Sequence, residues 1–163
     1  FERFDHEPGA AVEPKHKPFF QRIKTRSTGV TGGVYRKFLG LKTGHTYRVR
    51  SRMNTFAMDQ VQDTWSFSFY AVPHKQGVSL NPEQMAGIAP LPDGATALPI
   101  ASYGPGATTR GQYVECSTGT LDFVDITLPS DATAITVWFR YNGPPSANGV
   151  GFDWIKLKDL TTN

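Results

Sequence analysis

Arginines and aromatics recur along this sequence at a spacing of two. In residues 45–56 (HTYRVRSRMNTF), extended backbone sends Tyr47, Val49, Ser51 and Met53 to one face. Arg48, Arg50 and Arg52 then line the other as a basic stripe. In 134–142 (AITVWFRYN) the inward set is Ile135, Val137, Phe139 and Tyr141, with Thr136, Trp138 and Arg140 facing out. In 65–72, Trp65, Phe67 and Phe69 read as inward, opposite Ser66, Ser68 and Tyr70. Outward aromatics beside guanidiniums suit one chemistry well. The apolar C–H face of a sugar ring stacks on an aromatic, and its hydroxyl or acidic groups bond to Arg. Trp138, Arg140, Tyr70 and the Arg48, Arg50, Arg52 stripe are the candidate ligand contacts. The stripe favours an acidic glycan, either uronate-containing or sulfated.

Catalytic patterns are harder to find. His6, His16, His45 and His74 are scattered, and none falls into the H-E-x-x-H or H-x-H spacing that holds a transition metal. No G-x-S-x-G elbow, phosphate-binding loop or dinucleotide fingerprint occurs. Carboxylate pairs for glycoside hydrolysis can be drawn from Glu83, Asp93, Glu115, Asp122 and Asp125, but nothing singles one pair out. A lyase with a Tyr or His base would draw on Tyr47, Tyr113 or His45. The expectation is a binder and not an enzyme.

Composition narrows the class further. The single Cys116 excludes an internal disulfide framework and reads as a buried, inert thiol. No apolar run approaches the roughly 18 residues of a membrane-spanning helix. The first residue is Phe1, which suggests a processed chain or an excised domain. The net charge of +3 conceals an asymmetry: residues 1–60 carry +7 and residues 61–163 carry −4. Such a basic half can mark a polyanion surface, but no nucleic-acid-binding motif surrounds these cations, so no nucleic-acid partner is expected.

The elements that position these groups are short. Sixteen Gly and twelve Pro punctuate runs rich in Val, Ile, Thr and aromatics. Strands are expected at 19–26, 34–40, 45–56, 65–72, 112–117, 120–128, 134–142 and 151–158, with one helical turn at 81–86 (NPEQMA). Eight strands without crossover helices imply an all-β, two-sheet antiparallel sandwich, one domain spanning 1–163. Residues 73–111 read as a long irregular connection. Glu2 and Asp153 lie near the two ends, and terminal strands side by side would offer their carboxylates to Ca²⁺.

Several phrases carry a family resemblance. These are the opening Phe1-Glu2, GLKTGHTYRVRSRMN with Leu41, Gly44 and Tyr47, ITLPSDATAITVWFRYNGP, and the closing GVGFDWIKLKDL. They resemble non-catalytic carbohydrate-binding modules with the galactose-binding-domain-like jelly roll. The resemblance implies a polysaccharide or oligosaccharide ligand, tethering to a catalytic domain of a secreted polysaccharide-degrading enzyme, and a structural Ca²⁺ on Glu2 and Asp153. A protein-interaction or adhesion jelly roll and a small lyase or hydrolase are the alternatives.

Overall fold

The computed structural model describes residues 2–5, 10–14, 21–25, 30–55, 58, 64–92, 95–108, 114–115, 123–144 and 150–162. In chain order these form β1 Glu2–Asp5, β2 Ala10–Pro14, β3 Gln21–Thr25, β4 Val30–Phe38, β5 Thr46–Asn54 and β6 Ser66–His74. A short helix α1, Pro82–Ala86, precedes β7 Leu98–Tyr103, β8 Val114–Glu115, β9 Val124–Thr127, β10 Ala134–Gly143 and β11 Val150–Asp159. The first sheet runs β1-β4-β10-β6-β7. The second runs β2-β3-β11-β5-β8, with β9 also pairing β5. All these pairings are antiparallel. The molecule is the expected two-sheet sandwich.

Alternation decides which residues fill it. Phe139 of β10 stacks on Phe69 of β6 at 4.5 Å and on Phe152 of β11 at 4.2 Å, so one ring bridges both sheets. Val49, Met53, Phe67 and Val137 are fully buried around it. Each such side chain contributes roughly 1.5–3 kcal/mol of apolar burial. The Leu41-to-Tyr47 turn locks one end of β5. Gly44 takes φ 74°, a conformation that favours glycine, and its amide bonds to the Leu128 carbonyl at 2.9 Å. The Tyr47 hydroxyl accepts from the Lys42 amide at 2.9 Å.

Three expectations need correction. The connection 73–111 holds the expected helical turn, α1, but is not irregular otherwise: it also contains a strand, β7, that pairs with β6. Strands β1 and β2 precede the first expected strand. The terminal strands do not lie side by side, because β1 pairs β4 in the first sheet and β11 pairs β3 and β5 in the second.

Candidate functional site

The outer face of the first sheet carries Trp138, Arg140 and Tyr70, as alternation requires, but it is covered. Asn81 caps α1 by accepting from the Gln84 amide at 2.9 Å, and the Gln84 side chain accepts in return from the Asn81 amide. Pro82 starts the helix and Gly87, at φ 82°, ends it. This turn lays Met85 and Leu80 on Trp138 and Val72 as a second apolar cluster. Trp138 is only 1% exposed, and its indole N–H donates to the Met85 carbonyl at 3.0 Å. Arg140 donates to the Ala86 carbonyl at 2.9 Å and to the Tyr70 hydroxyl at 2.7 Å. The Tyr70 ring stacks on Trp138 at 5.3 Å. An exposed Trp138 is therefore not found. The outward set of β10 fastens residues 80–87 to the sheet, and Arg140 and Tyr70 are half-buried in the same task.

Among the described residues, the outer face of the second sheet keeps its side chains partly exposed on β5. Arg48, Arg50 and Arg52 share it, each half-exposed, while Tyr47, Val49, Ser51 and Met53 are buried. The neighbouring strand adds to the stripe. In β11, Phe152 faces Met53 and Ile155 faces Ser51, so Asp153 and Trp154 together oppose the single residue between them, Arg52. This bulge keeps Phe152 and Ile155 in the core and sets the half-exposed Trp154 among the cations. The Trp154 carbonyl accepts from the Ser51 hydroxyl, which pins the bulge. Lys156 lies over the Trp154 ring at 4.4 Å and Arg50 at 5.6 Å. Trp154 was not among the candidates, although the phase break between Phe152 and Ile155 signals it.

Further along, Lys156 opposes Arg50 and Lys158 opposes Arg48 in the ladder. Asp125 takes a bidentate bond from Arg48, with both N···O distances 2.8 Å, and Arg48 also stacks on Phe123 at 3.3 Å. The hydrogen bonds to Asp125 hold the Arg48 guanidinium above its ordinary pKa. Beside these strands opens a cleft of about 500 Å³ that reaches β4 of the first sheet. Arg36, Arg48, Arg50, Lys156 and Lys158 line it with five cations, and Phe38, Ile155 and Leu157 give it an apolar wall.

The remaining candidates have structural partners or lie outside the description. His45 pairs with Asp159 at 2.9 Å. Burial alone would raise the Asp159 pKa, but bonds from His45 and the Thr161 and Thr162 amides leave it lowered. His74 is buried, with its ring nitrogens at 2.6 Å from the Lys75 carbonyl and 2.7 Å from the Thr136 hydroxyl. Glu83 sits exposed in the first turn of α1. Asp93, Tyr113, Cys116, Asp122, His6 and His16 lie outside the described residues, as do the side chains of Glu2 and Glu115. Asp153 is 3.4 Å from Arg52 Nη1. Among the described residues, no group of three or more His, Cys, Asp or Glu could hold a metal, and no helix is long and apolar enough to cross a membrane.

No protein-family model matches the sequence, and no curated protein matches it. Solved structures do match by fold. A carbohydrate-binding module of the β-sandwich superfamily aligns with a TM-score of 0.55 at 11% identity, over 96% of this chain and 56% of the other. The xylan-binding domain of family 22 aligns at 0.50 and 13% identity, over 99% and 89%. The enzymatically active domain of bacteriophage CBA120 tailspike protein 4 aligns at 0.55 and 10% identity, over 98% of this chain but 19% of the tailspike chain. The chain thus spans about a fifth and about a half of two of these matched structures. Its fold is the β-sandwich of the carbohydrate-binding modules.

Proposed function

We propose that this chain is a non-catalytic module that binds polysaccharide on the outer face of its second sheet and favours acidic glycans. One observation carries the reading: Arg50 and Lys156 lie over the half-exposed Trp154 ring, at 5.6 Å and 4.4 Å, cations that a sugar would displace from the ring face and then meet at its edge. A sugar stacked on such a ring puts its equatorial acidic groups within reach of the flanking cations. The fold likeness to carbohydrate-binding modules supports the same reading. A match to segments of longer chains supports a module tethered to further sequence; the secreted polysaccharide-degrading parent enzyme is part of the proposal.

A structural Ca²⁺ on Glu2 and Asp153 belongs to the proposal on the family resemblance alone, since β1 and β11 lie in different sheets. Asp153 fits a hard cation in chemistry: its carboxylate, 19% exposed, sits at a bulge where the regular ladder is interrupted. Binding there would displace Arg52. Its contribution would be to stability.

The alternatives have less support. Of the three candidate lyase bases, Tyr47 and His45 are engaged by Lys42 and Asp159, and Tyr113 lies outside the described residues. The exposed large hydrophobics among the described residues are Leu39 and Ile88, which sit in different turns and do not make the broad patch of an adhesion surface. Titration with neutral and acidic oligosaccharides at low and high salt tests the function. Tighter binding of the acidic ligands, weakened by salt, is expected. Salt-independent binding of neutral sugars alone would remove the acidic preference, and failure to bind any glycan would remove the reading.

A further inference from the structure

The ladder between β5 and β11 brings like charges into facing positions. Lys156 lies directly opposite Arg50, and Lys158 directly opposite Arg48. Like charges in facing positions repel and weaken a sheet. Arg36, reaching the same cleft from the other sheet, adds a fifth cation. Among the described residues, no Asp or Glu lines that cleft. Asp125 answers Arg48 from the side. An anion seated in the cleft would be attracted by these cations, and low-dielectric walls would focus the field on it.

The apolar part of the lining narrows the class of anion. Phe38, Ile155 and Leu157 give the cleft an apolar side that a bare inorganic anion would leave unused. Its volume of about 500 Å³ falls within the range of small-molecule sites, roughly 300–1,000 Å³. A sugar residue bearing a carboxylate or a sulfate ester has both faces in one unit.

We propose that this cleft is a subsite for a single anionic sugar residue, its ring against Phe38 and Leu157 and its acidic group among Arg36, Arg48 and Lys158. The proposal rests on the Trp154 reading above and adds a second, separable contact: the platform takes a ring by stacking, and the cleft takes the charge. Arg36 and Lys158 are the discriminating residues: both line the cleft, and Arg36 lies over the Phe38 ring at 4.8 Å.

The test uses the full chain with three probes: a uronate oligosaccharide, a sulfated oligosaccharide, and the carboxyl-reduced form of the first. Each is titrated against wild type, the double variant Arg36→Gln/Lys158→Gln, and Trp154→Ala, with melting temperature confirming the fold. The double variant should lose about tenfold or more in affinity for an anionic probe, the loss of at least one charged hydrogen bond. Its salt dependence should flatten, and its affinity for the carboxyl-reduced probe should not change. Loss confined to the uronate or to the sulfated probe identifies which acidic group the cleft takes. Anionic binding that responds to Trp154→Ala and ignores the double variant would overturn the cleft and leave the platform. No binding of any probe by wild type would overturn both. Duplex DNA binding as tightly as the anionic sugars would make the face a general polyanion surface and overturn the subsite.

Discussion

The indole N–H of Trp138 donates to the carbonyl of Met85, 53 residues earlier in the chain, at 3.0 Å. That bond sits beneath α1 and ties the helix to the first sheet, with Arg140 holding the adjacent Ala86 carbonyl. Gly87 follows at once at φ 82°, a conformation that favours glycine, and a Cβ there would meet Arg140 Nη1 at 2.5 Å and force the guanidinium to shift.

Trp138 is therefore expected to act on stability. Trp138→Phe removes the donor and leaves the Met85 carbonyl unpartnered, at a cost of about 1–3 kcal/mol. Trp138→Ala also opens a cavity and should cost about 3–5 kcal/mol. Denaturant titration measures both. Glycan affinity of the folded Trp138→Phe variant should stay at the wild-type value.

Tyr141 sets the alkaline limit. Its ring is fully buried, and burial pushes the phenol pKa from the ordinary 10.0 up to about 12. Because the folded pKa is the higher one, the contribution is complete below pH 10 and is lost as pH rises from there toward about 12. The loss is on the order of 2–3 kcal/mol. Tyr141→Phe should flatten stability across that window, at the expense of the bond to the Pro144 carbonyl at 3.0 Å. Urea unfolding at pH 8, 10 and 11.5 reads the difference.

Calcium is expected to raise the melting temperature of chelator-treated protein, since an ion that binds only the folded chain stabilises it by mass action. Asp153→Asn should abolish the shift. A shift that persists unchanged in Asp153→Asn would place the ion elsewhere, and no shift in wild type would remove the metal from the account.

Much of the sandwich is legible in period-two patterning, because burial of one face forces alternation. The stripe of Arg48, Arg50 and Arg52 and the core set of Phe67, Phe69, Val137 and Phe139 both follow from it. What alternation conveys is the direction of a side chain and not what lies there. Trp138 faces outward as read, but Met85 and Leu80 cover it from a helical turn far away in sequence. Trp154 was hidden for a different reason. Strict alternation from Phe152 points Trp154 inward and Ile155 outward, and the bulge reverses both. The apolar pair Ile155 and Leu157, out of phase with Phe152, is the trace it leaves. Strand β7 escaped because Pro99 interrupts its pattern, at the register shift opposite Tyr70.

The central claim places the glycan on Trp154, and calorimetric titration of Trp154→Ala with an acidic oligosaccharide tests it most directly. Loss of the stacking ring should weaken binding at least about tenfold, or roughly 1.4 kcal/mol, with the melting temperature unchanged. Wild-type affinity in a folded Trp154→Ala protein would contradict the account.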